Sequence, residues 1–195
     1  ILLGIAVFIG VIGNSLATFS KRIASDIGFY SFESHFTSYS VKHYLWDQSI
    51  VQLILNSLIF LAVLVVAVLG FHFPVTTSLL VQFFLLSLMG IYFSVIGFVL
   101  GVRIDAKTID TIGFPVIILA AMTIIPFDTL GASGGFMDLV GKLQRVFPGY
   151  YYTKLIQDLT EKQTIDATQL ALFVAVFGLN LLFFYLLVPK GKMGN

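Results

Sequence analysis

Five stretches of this chain contain no Asp, Glu, Lys or Arg: Ile1–Ser20, Ser49–Phe73, Val75–Val102, Thr111–Phe127 and Ala167–Val188. Each approaches or exceeds the ~20 apolar residues that carry an α-helix across a ~30 Å hydrocarbon core. A bilayer core offers no water to backbone N–H and C=O groups, so a spanning segment closes its own hydrogen bonds, as helix or as closed barrel. Barrel strands are ~10 residues long and alternate apolar with polar positions. The runs here are longer and barely alternate, which selects helix. The pattern predicts an all-α polytopic membrane protein, a single transmembrane domain over residues 1–195 with spans at about 1–20, 49–73, 75–102, 111–127 and 167–188. The fourth run is the shortest. Pro115 and Pro126 bracket it, so it is expected to bend or to end within protein.

Charges between the runs set an orientation. Lys21, Arg22 and Lys42 lie in the first connection, none in His72–Thr77, Arg103 and Lys107 in the third, and Lys190 and Lys192 in the tail. Basic residues concentrate on the cytoplasmic side of short loops. That places loop 21–48, Arg103–Asp110 and the C-terminus in the cytoplasm, and Asp128–Asp166 outside despite its mixed charge. Within loop 21–48, Ile23, Ile27, Phe29 or Tyr30, and Phe32 or Glu33 recur at helical spacing. A short amphipathic helix there either rests on the lipid interface or docks in a groove of a partner. In the outer segment, Phe136, Leu139, Val140, Leu143, Val146 and Phe147 form one apolar helical stripe, with Asp138, Lys142 and Arg145 opposite. A second short helix over Tyr151–Glu161 carries Tyr152, Leu155, Ile156 and Leu159 on one side. These two external helices, within residues 135–161, are expected to be re-entrant or interfacial.

Several chemistries are excluded. Only 11% of the residues are charged, against about 25% in soluble chains. The chain has no Cys, hence no thiolate nucleophile or Cys-type metal site, and a net charge of +1 with no basic stripe, hence no nucleic-acid footprint. His35 and His43 lack a third metal ligand, His72 has no acid nearby, and Gly-x-Ser-x-Gly does not occur. No catalytic or metal residues are assigned, and the chain is not expected to be an enzyme. Gly135–Lys142 imitates a phosphate loop, but its glycines stand one residue too far apart and Leu143 replaces the magnesium-binding Ser or Thr. The runs hold no ionisable residue for a coupling ion; their polar content is Asn14, Gln52, Asn56, Gln82, Asn180 and scattered Ser and Thr, read as helix-packing groups. Gly90, Ser94, Gly97 and Gly101 share one face of the third run and suit a close helix contact.

The order of elements resembles the membrane subunits of type-2 ABC exporters. Asp26-Ile27-Gly28 resembles the acid-then-Gly pattern of their cytoplasmic coupling helix, placed here at Ser25–Phe36. Ser40–Leu45 (SVKHYL) resembles the basic, Tyr-containing lead-in to the next span, and Phe147-Pro148-Gly149-Tyr150 the step from external helices towards the last one. Where the family carries a Glu/Arg-rich coupling run, this chain has only Asp26 and Glu33 as acids. The resemblance implies six spans, with residues 1–20 as the second. It implies coupling to an ATP-binding cassette subunit through Asp26, Gly28, Phe29, Phe32, Glu33 and Phe36, and an external gate at Phe136, Leu139, Leu143, Phe147, Pro148 and Tyr150. No cofactor is expected in this chain; ATP and magnesium belong to the partner. A second membrane subunit, identical or different, and membrane lipids complete the expected partners, in the cell membrane. Twenty Phe and no charge in the spans favour a hydrophobic or amphipathic cargo, such as a peptide toxin, antimicrobial peptide or drug. Sodium, a lipid or a lipid-linked polysaccharide are alternative cargoes; a channel or membrane-assembly protein is the alternative without ATP.

Overall fold

A computed structural model describes residues 2–36, 38, 40–128, 131, 133–162 and 164–188. Among the described residues the fold is entirely helical. Helix α1 (Leu2–Ile12) runs through a π-helical segment, Gly13–Thr18, into α2 (Phe19–Phe36). After it come α3 (Val41–Phe71), α4 (Ser78–Arg103), α5 (Ala106–Met122), α6 (Gly135–Gln144), α7 (Pro148–Glu161) and α8 (Ala167–Leu186). Helices α3, α4 and α8 are long and apolar enough to cross a membrane.

Local chemistry sets most of the boundaries. Ser40 caps α3, its hydroxyl accepting from the His43 N–H at 3.3 Å. The helix stops at His72, which takes the left-handed conformation (φ 52°) while the His72 and Phe73 N–H groups close on the Val68 and Ala67 carbonyls. Asp105 caps α5, accepting from the Thr108 N–H at 2.9 Å and the Thr108 hydroxyl at 2.7 Å. Those bonds favour the charged form and hold the Asp105 carboxyl below its ordinary pKa. Asp166 caps α8 through the Thr168 N–H, and Pro148 opens α7 at a position where its missing N–H costs nothing.

Two boundaries differ from the sequence expectation. The first run does not end as a separate span at Ser20. Helical geometry continues through Lys21 and Arg22 to Phe36, so Ser25–Phe36 is the far end of α2 and not an isolated short helix. Charged residues end an apolar run without interrupting backbone hydrogen bonds, and no proline lies between Gly13 and Phe36. Helix α5 begins at Ala106, five residues before the apolar run, so Pro115 lies inside it and the helix stops at Met122, short of Pro126. The stretch that imitates a phosphate loop is α6 itself, helical from Gly135 onward.

Helix α4 is the centre of the bundle. In its most apolar stretch 61% of residues are buried, against 17% for α3 and 6% for α8. It packs on the π segment, α2, α3, α7 and α8. One core gathers Phe8, Val11, Phe60, Met89, Phe93 and Leu155; a second, towards the other end, gathers Phe19, Ile23, Tyr44 and Phe98. The small-residue face of α4 makes the close approach. A Cβ on Gly97 would stand 2.1 Å from the Ser15 carbonyl oxygen, and one on Gly101 2.5 Å from that of Ser20. Glycine is the residue that lets the backbones meet there.

Candidate functional site

Each end of the bundle is tied by polar contacts. At one end Lys21 pairs with Asp110 at 2.7 Å, Arg103 donates to the Leu187 carbonyl at 2.9 Å, and the Lys42 ammonium lies 5.0 Å from the centre of the Tyr185 ring. Residues of the stretch 21–48, of Arg103–Asp110 and of the end of α8 thus meet at one end; Lys190 and Lys192 lie outside the described residues. At the opposite end Lys154 pairs with Asp128 at 3.0 Å, and the connection between α3 and α4 lies with the segment between α5 and α8.

Helix α2 extends past the first of these ends. Gly101, two residues before α4 stops, meets Ser20 and Ile23. Ile27 still packs against the neighbouring core. From Ile27 to Phe36 the helix continues for about 14 Å at 1.5 Å per residue. Phe29, Phe32 and Phe36 stand there 68%, 66% and 76% exposed, spaced along one helical stripe, with the Phe32 and Phe36 rings 5.1 Å apart. Asp26 and Gly28 are exposed beside them. The Glu33 backbone belongs to α2; its side chain lies outside the described residues, as does that of His35. The expected coupling residues are therefore brought together on one projecting helix. His43 has its Nδ1 2.9 Å from the Ser40 hydroxyl, a capping role.

The expected gate residues are not brought together. Phe136, Leu139 and Leu143 lie outward on α6, 67%, 53% and 55% exposed, with Val146 beside them. Phe147 is half-buried and lines a cleft shared with α8, where the Asn180 amide donates to the Val146 carbonyl at 2.9 Å. Pro148 is buried at the start of α7, and the Tyr150 ring sits between the Arg145 and Lys154 cations, 6.0 and 5.6 Å away. The stripe on α6 faces outward because its inner face is fixed by a polar residue. The Gln144 amide donates to the Met122 and Ile125 carbonyls at 2.6 and 2.8 Å, closing the open C-terminus of α5. Thr153 does the same for Ile124 at 2.8 Å. Helix α7 turns Tyr152, Leu155, Ile156 and Leu159 inward, as its pattern predicts, and the Tyr152 ring meets Phe8 at 4.9 Å. A cavity of about 100 Å³ lies at this junction, between Phe8, Ile12, Ile124, Tyr152 and Ile156.

Between the two ends lies a buried polar node. Asn56 Nδ2 donates to Ser15 Oγ at 3.2 Å, and Asn56 Oδ1 accepts from Asn14 at 3.2 Å and from Gln52 at 3.5 Å. All four side chains come from the apolar runs; Asn14, Gln52 and Asn56 stand out there as polar residues and Ser15 does not. They meet where the helix is π-wound, with the Phe19 N–H closing on the Asn14 carbonyl five residues back. Such insertions bend helices and recur where a helix must move. No sequence pattern marks this one. Comparison with protein-family models, with characterised proteins and with solved structures finds no match.

Proposed function

We propose that the chain is the membrane-spanning subunit of an ATP-driven exporter. In this reading five segments cross the bilayer: residues 2 to about 24 as a bent helix, then α3, α4, α5 and α8. The basic end is cytoplasmic, and α6 and α7 lie in the outer interface. The observation that carries the reading is the continuation of α2 beyond the bundle with Phe29, Phe32 and Phe36 exposed on one stripe. An aromatic stripe on a helix fits a groove on a soluble partner. The partner supplies ATP and magnesium. Its closure on ATP would push the α2 tip, and a continuous helix carries that displacement to the π segment against α4. Cargo that is hydrophobic or amphipathic, such as a peptide toxin, antimicrobial peptide or drug, then passes between this subunit and a second membrane subunit. The outward stripe of α6 and the cavity at Phe8 and Tyr152 supply apolar surface on the exit side.

The test is purification from native membranes in mild detergent, with mass identification of what accompanies the chain. An ATP-binding subunit is expected with the parent. Phe32→Ala combined with Phe36→Ala is expected to lower its recovery at least tenfold, because aromatic anchors carry about 2 kcal/mol or more each. The variant's own melting temperature should not change, since both rings are exposed. If no ATPase accompanies the parent, a channel or membrane-assembly role takes the place of export.

A further inference from the structure

The basic end of the bundle holds a second feature that the docking helix does not use. Helices α3, α4 and α8 leave a cleft of about 380 Å³ between them, lined by Leu45, Leu53, Val95, Leu181 and Tyr185, with Trp46 at its rim. Its walls are almost wholly apolar. Trp46, Ile50 and Leu182 are 65%, 54% and 54% exposed, so the cleft opens sideways, between α3 and α8. Its polar groups gather at one end. Lys42 lies there over the Tyr185 ring, and Ser49 lines the cleft two turns further along α3. Lys21, Lys154 and Lys162 are paired with Asp110, Asp128 and Asp158, whereas Lys42 rests against the Tyr185 ring.

We infer that this cleft seats an anionic phospholipid, its phosphate at Lys42 and one acyl chain along α3 towards Leu53. The dimensions agree. Eleven residues of helix from Lys42 to Leu53 rise about 16 Å: the first seven, about 10 Å, lie at headgroup depth before the apolar run, and the rest enter the hydrocarbon core. Tryptophan and tyrosine concentrate at the depth where headgroups meet acyl chains, and Trp46 and Tyr185 flank the mouth at that depth. A lysine with its stem in the apolar layer and its ammonium at the headgroups attracts anionic lipid over zwitterionic lipid by about fivefold. A zwitterionic lipid fits the cleft as well but gains nothing from Lys42. The inference rests on the membrane placement proposed above and is independent of the export role.

Trp46 is the chain's single tryptophan, so its fluorescence reports on this site alone. The parent is reconstituted in phosphatidylcholine vesicles, and quenching is titrated with dibrominated phosphatidylglycerol and, separately, dibrominated phosphatidylcholine. Phosphatidylglycerol is expected to quench with about fivefold higher relative affinity. Lys42→Gln removes that preference and leaves quenching by phosphatidylcholine intact; Lys42→Arg keeps it. Gly178→Phe, which fills the cleft from α8 without touching Lys42, also removes it. Equal quenching of the parent by the two lipids overturns the site. A preference that survives Gly178→Phe overturns the acyl seat and reduces Lys42 to surface attraction. No quenching by either lipid overturns the membrane placement itself, and the site with it.

Discussion

Gly97→Leu is expected to abolish the folded bundle, and Gly97→Ala to lower its melting temperature by several degrees. A Cβ at this position would meet the Ser15 carbonyl oxygen at 2.1 Å and the Phe19 ring at 3.3 Å. The nearer atom is backbone, so no side chain can turn aside; α4 and the π segment must separate. Overpacking of a well-packed core costs about 1–3 kcal/mol where side chains can shift, and more where they cannot. Separation here would also open the contacts of Phe19 and Ile23 with Phe98. Against a total stability of about 5–15 kcal/mol, alanine leaves a weakened bundle and leucine none. Size-exclusion profiles in detergent after graded heating measure both. Gly70→Ala is the control: nothing lies within 4 Å of its added methyl, and alanine in a helix interior gains up to about 1 kcal/mol over glycine. If Gly97→Ala behaves like Gly70→Ala, the close approach of α4 is wrong.

Asn56→Leu is the second large effect. Leucine keeps asparagine's branched outline with bulkier methyl ends, so crowding beside Gly90 adds to the loss of bonding. Asn14 and Gln52 lose their shared acceptor and Ser15 its donor. Hydrogen bonds between helices in a membrane average about 0.6 kcal/mol and reach about 1.7. Three together predict a loss of about 2–3 kcal/mol, read as a fall in thermal midpoint. Asn14→Leu alone should cost less, and adding it to Asn56→Leu should cost almost nothing further, because its bond is already gone. Additive losses would mean that the two asparagines do not share a bond.

What the sequence makes legible is the set of apolar faces; what it hides is which surface each face meets. The runs that became α3, α4 and α8 are readable because no charge interrupts them. The glycines of α4 are readable as a close-packing face, yet nothing in the sequence names Ser15 and Ser20 as the backbone they approach. Tyr152, Leu155, Ile156 and Leu159 follow helical spacing and turn inward; Phe136, Leu139 and Leu143 follow it equally well and turn outward. The difference lies in Gln144, whose bonds to the end of α5 decide which side of α6 faces the protein. The π segment is silent in composition, since Gly13–Thr18 would suit an ordinary helix turn. The continuation of α2 past Ser20 was hidden by Lys21 and Arg22, which end an apolar run without ending a helix. Among the expected site residues, Phe29, Phe32 and Phe36 share one stripe because they are local in sequence. The gate set spans two helices whose junction at Pro148 sends them in different directions.

The measurement that tests the account most directly is the sidedness of the two ends, because both docking and gating require them to lie on opposite faces of a membrane. The chain has no native cysteine, so single replacements report cleanly. Phe36→Cys and Thr108→Cys mark one end, Thr77→Cys and Lys142→Cys the other; all four positions are exposed. In sealed cells a membrane-impermeant maleimide is expected to label the cysteines introduced at positions 77 and 142. Those at 36 and 108 should react only after the membrane is opened. Labelling of positions 36 and 108 in sealed cells together with 77 and 142 would place both ends on the same face and contradict the account.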